Sequence, residues 1–175
     1  MIYLTFIRHG TTDVNGMGYI ATNKDIPLNE NGVKECESIR FKKGKFDKVY
    51  CSPTKRTLQT AKLIYPYVKA EITELLKQKE WGELTNHFKK EYDSEYISKL
   101  RNYKINPSGA ESLDEVIARL NKFFEKIKKE NKDESRILIV THNGILRIVK
   151  KIFLNNNTYE ETRYLECFNI TLQNE

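Results

Sequence analysis

Apolar positions along this chain switch between the two-residue repeat of strands and the repeat of about 3.6 residues that marks helices. Tyr3–Ile7 is β-branched and aromatic and predicts a first strand. Asn29–Phe41, entered through the turn sequence DIPLNENG, reads as a helix, and Lys48–Cys51 as a second short strand. Ser52 as N-cap and Pro53 in the first helical position then open a helix to about Tyr65, which Pro66 ends. Ala70–Thr73 predicts a third strand. Gln78 to Pro107 is irregular, with one helical stretch near Phe88–Tyr103. Glu111–Asn131 is a strongly amphipathic helix, with Leu113, Val116, Ile117, Leu120, Phe123, Phe124 and Ile127 on one face. Arg136–Thr141 is almost continuously apolar, the mark of a central parallel strand covered on both faces. A helix from about Gly144 to Phe153 and a last strand, Arg163–Leu172, at an edge complete the pattern.

Strands alternating with helices imply the α/β class: a mostly parallel sheet in a three-layer αβα sandwich. The 175 residues suit one domain over 1–175, with a small cap at about 78–107. No apolar run approaches the ~18 residues of a membrane span, and the N-terminus reads as a strand, not a signal peptide. Cys36, Cys51 and Cys167 are odd in number and lack C-x-x-C spacing. Neither a disulfide framework nor structural zinc is expected, and free thiols fit a cytoplasmic protein. The net charge of +6 comes from lysines interspersed with acids, the pattern of solvated helix faces. No nucleic-acid or membrane partner is read from it. Nothing in the sequence sets an oligomeric state.

In α/β sheets ligands bind beyond the carboxyl ends of the strands. Of three histidines, His9 and His142 directly follow apolar strands, with Arg8 and Arg147 close by. Arg56, near the start of the helix after Lys48–Cys51, falls at the same edge. Arginine offers a planar fork to phosphate oxygens, and neutral imidazole is a competent nucleophile toward phosphorus. The loop after the first strand, with Thr11, Thr12 and Asn15, adds hydroxyls and an amide. A metal is not expected, because two arginines beside the histidines would repel a cation.

These residues carry a resemblance. Arg8-His9-Gly10-Thr11-Thr12 with Asn15 resembles the R-H-G-E/Q-T/S-x-x-x-N signature of the histidine phosphatase superfamily, the phosphoglycerate mutase-like family. Asp25-Ile26-Pro27-Leu28 with Gly32 resembles its D-x-P-L-x-x-x-G, and Cys51-Ser52-Pro53 through Ala61 its S-S-P-L-x-R-A-x-Q-T-A. Pro107–Ser112 resembles its P-x-G-E-S helix start, and Thr141–Arg147 its second-histidine motif. The motifs follow in order along nearly the whole chain. The resemblance implies that His9 attacks phosphorus and becomes a transient phosphohistidine. It implies that Arg8, Arg56 and His142 hold the phosphate oxygens with help from Asn15, and that neither cofactor nor metal takes part. Water then releases phosphate from a small phosphorylated substrate. The ring-nitrogen acceptor that would set the His9 tautomer is not visible in the sequence.

Three segments depart from the family pattern. Where relatives carry a proton-donating glutamate, in L-x-E-x-x-F-G, this chain has Gln78 within Leu76–Gly82. Glu80 lies two residues on, and in an extended stretch it would share a face with Gln78 at ~6.5–7 Å. Glu80 is expected to serve as the acid; otherwise it is a solvated charge. Gly16–Thr22 lacks an arginine many relatives carry, leaving Thr22 as a substrate-side candidate. Asn86 replaces a glycine. Trp81 reads as a cap anchor, His87 as an exposed loop residue, and Tyr92, Tyr96 and Tyr103 as a half-buried helix face.

A phosphomonoesterase is the expected function. A phosphoglycerate mutase-type phosphotransferase would need more cover against water than the short stretch between Gly82 and Pro107 and the chain end soon after the last strand provide. A weakened member that only binds phosphorylated ligands rests on Gln78.

Overall fold

The computed structural model describes residues 1–22, 24–154 and 161–173. Its strands are β1 (Ile2–Arg8), β2 (Lys48–Cys51), β3 (Glu71–Ile72), β4 (Arg136–Thr141) and β5 (Cys167–Leu172). They form one sheet in the order β3-β2-β4-β1-β5, parallel except for β5, which runs antiparallel beside β1. β4 is central, as its unbroken apolar run predicts. The helices are α1 (Glu30–Ser38), α2 (Lys55–Ile64), α3 (Ser94–Arg101), α4 (Leu113–Glu130) and α5 (Asn143–Leu154).

Two apolar layers hold the helices to the sheet. On one face Val116, Leu120, Phe123 and Ile127 of α4, with Ile145 and Val149 of α5, pack on Leu4, Phe6, Ile137 and Ile139. On the other, Cys36 of α1 with Ala61 and Ile64 of α2 pack on Ile7, Val49, Leu138 and Val140. Alternate residues of β4 point to opposite layers, so β4 is buried on both sides from Ile137 to Thr141, whereas β1 leaves Tyr3 exposed on its second face. This is the expected three-layer αβα sandwich. Among the described residues no helix is long and apolar enough to cross a membrane.

Local chemistry sets most helix ends. Asn29 caps α1 by accepting from the Gly32 amide, and Ser112 with Glu115 closes a capping box on α4. Two sequence expectations need correction. The α2 N-cap is Thr54, not Ser52, so Pro53 lies outside the helix. Ser52 is withdrawn because its hydroxyl is committed to the site described below, and the first α2 amide, of Lys55, donates instead to Asp25 at 2.8 Å. The final strand begins at Cys167; Leu165 has φ 57° and breaks the extended run that Arg163 was expected to start.

The cap is more broken than one helix over Phe88–Tyr103. Asp93 caps the short α3, and 3₁₀ turns occupy Gly82–Leu84 and Lys89–Glu91. Gly82, at φ 53°, sits against the backbone of Ser108 and Ala110 so closely that a Cβ would overlap both. Asn86 adopts φ 70°, the left-handed conformation that asparagine tolerates and glycine enters most readily.

Candidate active site

Strand register assembles the site. β1 pairs in parallel with β4 so that Arg8 lies opposite Thr141. The next residues, His9 and His142, therefore emerge side by side, with ring centroids 5.3 Å apart. β2 flanks β4 on its other side, with Cys51 opposite Val140, and this brings Ser52 beside His142. α2 then turns back from this edge with Arg56 in its first turn. Arg8, His9, Arg56 and His142 line a cleft of about 530 Å³ together with Asn15, Thr22 and Gln78, and Ser52 lies buried behind His142.

His9 is almost wholly buried, and its Nδ1 lies 2.7 Å from the Gly10 carbonyl. A carbonyl can only accept, so Nδ1 carries the proton and Nε2 keeps its lone pair. This is the acceptor that the sequence did not reveal. The Gly10 peptide is itself pinned: its amide donates to Thr60 Oγ1 at 3.1 Å, and Thr60 donates to the Arg56 carbonyl at 2.7 Å. Burial, then Arg56 and Arg8, push the His9 imidazole down to about 3, against the Gly10 bond, which favours the proton. His142 is held well below the usual histidine range by burial first, then by His9, Arg56 and Arg8. Both rings are neutral at neutral pH. His142 Nε2 lies 2.7 Å from the buried Ser52 hydroxyl, and its Nδ1 is 3.4 Å from Arg56 Nη2.

Arg8 is clamped by a segment that the sequence did not mark. Its Nη1 donates to the Thr162 carbonyl and lies 3.2 Å from Glu161 Oε1, and its guanidinium stacks 3.8 Å above the Tyr164 ring. Asn143, at the start of α5, accepts the Thr162 amide at 3.0 Å and holds that segment in place. Arg8 Nε is buried with no hydrogen-bond partner among the described residues. A buried donor beside two neutral imidazoles and a second arginine suits an oxyanion. Asn15 accepts from the Thr12 amide and hydroxyl at 2.7 and 2.8 Å, which leaves its NH₂ as the group offered to the cleft. Gly32 permits this loop arrangement, since a Cβ there would overlap the Thr11 carbonyl.

Glu80 does not enter the cleft. Its carboxylate pairs with Lys77 and its side chain is 61% exposed. The reason is the segment's anchoring. The Glu80 carbonyl accepts from the Glu111 amide, and Trp81 bridges to Ala110, so the strand-like alternation from Gln78 is lost. Gln78 does line the cleft, where its Oε1 accepts from Arg56 Nη2 at 3.1 Å. Behind it, Glu111 and Arg119 form a half-buried bidentate pair at 2.6 and 2.9 Å, and Arg119 also donates to the Leu75 carbonyl at 2.8 Å. Trp81 and Tyr103 are wall residues of the cleft, beyond the anchoring and packing roles read from sequence, while His87 is exposed and paired with Glu91.

Comparison with known proteins places this geometry. A sequence profile of the histidine phosphatase superfamily (branch 1) matches residues 4–173. A metal-independent phosphoserine phosphatase of Arabidopsis thaliana is 33% identical over 159 residues, covering 83% of this chain and 66% of that protein, so the chain spans just under two thirds of that relative's length. A 2,3-bisphosphoglycerate-dependent phosphoglycerate mutase of Cytophaga hutchinsonii is 31% identical, covering 84% of this chain and 75% of that one. Among solved structures, a phosphoserine phosphatase of Entamoeba histolytica superposes with a TM-score of 0.81 at 22% identity, over 99% of this chain and 92% of that chain. Strand-end arginine and histidine pairs, the fold around them and a match across nearly the whole length agree: the chain belongs to the histidine phosphatase superfamily.

Proposed function

We propose that this protein hydrolyses phosphomonoesters of small metabolites through a phosphohistidine at His9, without a metal. The observation that carries the reading is the His9 tautomer: Nδ1–H is tied to the Gly10 carbonyl, so the Nε2 lone pair is available within the same cleft as Arg8 and Arg56. The ester's phosphate oxygens take donors from Arg8, Arg56, His142 and Asn15. Nε2 attacks phosphorus, the N–P bond forms and the P–O bond to the leaving group breaks. Fixed cationic donors compensate the charge at the transition state. Water then attacks phosphorus, the N–P bond breaks and inorganic phosphate leaves. Gln78 cannot transfer a proton to the leaving oxygen, so that proton comes from solvent.

Hydrolysis is favoured over transfer because the cleft's mouth is open to water. It is formed by a loop in which Gly16 and Met17 are exposed, and the cap carries a single eight-residue α-helix. A mutase must keep water from the phosphohistidine. The named mutase relative supports transfer as the second reading. The test is turnover of p-nitrophenyl phosphate in excess EDTA, with acid-labile phosphate trapped on the protein. Turnover that survives chelation, with label lost in His9→Ala, supports the reading. Dependence on a divalent ion would overturn it. Quantitative passage of label from phosphoprotein to 2- or 3-phosphoglycerate, with no free phosphate, would favour the mutase.

A further inference from the structure

Ser52 and His142 are buried together where β2 and β4 end: Ser52 is 0% exposed and His142 is 2% exposed. The Ser52 backbone is held from both sides. Its amide donates to the Val140 carbonyl at 3.1 Å, and its carbonyl accepts from the Thr57 hydroxyl at 2.6 Å and the Thr54 amide at 2.9 Å. The hydroxyl therefore starts from a fixed point. Among the described residues it has one hydrogen-bond partner, His142 Nε2 at 2.7 Å.

A hydroxyl carries one proton, and a buried one is costly to leave without an acceptor. Nε2 takes that proton only through its lone pair, so a donating Ser52 puts the ring proton on Nδ1. Nδ1 is on the cleft side of the ring, 3.4 Å from Arg56 Nη2. That separation is long for a hydrogen bond, and Arg56 Nη2 already donates to Gln78 Oε1 at 3.1 Å. Two N–H donors thus stand side by side, spaced so that one oxyanion oxygen can accept from both.

His9 follows the same logic with the opposite result. Its Nδ1–H goes to the Gly10 carbonyl, which leaves the Nε2 lone pair for phosphorus. The two rings, with centroids 5.3 Å apart, hold the same tautomer and turn opposite ends to the cleft. A carbonyl fixes the nucleophile and a hydroxyl fixes the donor. Burial beside two arginines disfavours an imidazolium here, so a neutral donor is the kind the site can hold.

We propose that Ser52 is a positioning residue: by donating to Nε2 it holds His142 as a neutral Nδ1–H donor, which shares one phosphate oxygen with Arg56 Nη2. The inference rests on the phosphomonoesterase reading for the identity of the oxyanion. It gives the serine just ahead of α2 a role other than capping that helix.

The test reads the histidine rings by two-bond proton–nitrogen NMR at neutral pH in the wild type and in Ser52→Ala, with His142 assigned by the signals lost in His142→Asn. Affinity for inorganic phosphate is measured alongside by calorimetry. Wild-type His142 is expected as the Nδ1–H tautomer, with and without phosphate. Ser52→Ala should move the ring toward Nε2–H and weaken phosphate binding about tenfold or more, the worth of one hydrogen bond to a charged group. Ser52→Thr, which keeps the hydroxyl, should retain the tautomer. A wild-type His142 in the Nε2–H form overturns the assignment, and does so even where Ser52→Ala fails to fold. So does a Ser52→Ala protein that keeps the Nδ1–H tautomer, whatever its affinity for phosphate, because Ser52 would then only fill space. Neither readout needs turnover, so hydrolysis of p-nitrophenyl phosphate by the wild type reports separately on the phosphatase reading, and the two can fail independently.

Discussion

His9, His142 and Ser52 each stand one residue beyond a strand, on three neighbouring parallel strands, whereas Gln78, Lys89 and Arg101 stand on short turns and the end of an eight-residue helix. At the strand ends, position is dictated by ladder register and by backbone bonds such as His9 N–H to the Thr141 carbonyl at 3.0 Å. In the cap, position depends on a few long-range anchors: the Glu111–Arg119 pair, the close approach at Gly82, and the left-handed Asn86. A sheet of buried strands is hard to deform one residue at a time; a wall hung on a few anchors is not. On the proposed function, the chemistry falls at the rigid end.

The sharpest break of this division is at His9, the proposed nucleophile. His9→Ala should lower kcat by about 10⁴-fold or more on every phosphate ester, because the covalent step itself is lost. A rate loss that varied widely between esters would place His9 in substrate selection. The next largest effect falls on the cap. Glu111→Ala leaves the half-buried Arg119 without its carboxylate and should cost about 1–3 kcal/mol, read from chemical denaturation. A cost below ~1 kcal/mol would mean that the cap is not held by this pair.

Gln78 joins the two regions, since it lies on the cap and bonds Arg56. Gln78→Glu supplies a proton donor and should raise kcat on glycerol 3-phosphate by some tens-fold, while p-nitrophenyl phosphate, whose leaving group needs no proton, changes little. Equal gains on both would point to altered binding instead.

The smallest effect is on acid stability. The His9 and His142 protons bind more tightly in the unfolded chain than in the fold, where both pKa values are lowered. Stability is therefore full above the unfolded value of about 6.5 and falls as the pH drops below it, down toward the folded value of about 3 for His9. Each ring contributes a slope approaching ~1.4 kcal/mol per pH unit. Replacing His142 by Asn should remove one such slope from denaturation curves between pH 6.5 and pH 4.5, a range set by that unfolded value. An unchanged slope would mean that His142 is not buried neutral.

The same contrast explains what could be read from the chain. β2 and β4 were legible to the residue, and so was the gathering of Arg8, His9, Arg56 and His142. Each rests on local periodicity or on a short motif next to a strand. Glu80 was misplaced because the two-residue alternation that put it beside Gln78 is overridden by pairing with Glu111 and Ala110, some thirty residues away. Tyr164 and Glu161 were missed for a related reason. Nothing near them in sequence hints at Arg8; an antiparallel edge strand and an Asn143 side chain carry them there. Ser52 was assigned to a helix cap, the commonest use of a serine before a helix, while its hydroxyl was taken by a histidine from another strand.

β1, which leads into His9, has β4 and β5 as its sheet neighbours, and both lie in the last quarter of these 175 residues. On a ribosome His9 is therefore among the first site residues to emerge and the last to be seated. Until residues 136–141 have left the exit tunnel, the strand that leads into His9 has no partner on either side, and until 167–172 follow it has only one. Pairings that distant in sequence slow folding and leave an apolar strand exposed in the meantime. Chains that stall in translation short of β4 should therefore display β1 to chaperones, and the strand-end site should assemble only after β4 and β5 have both emerged.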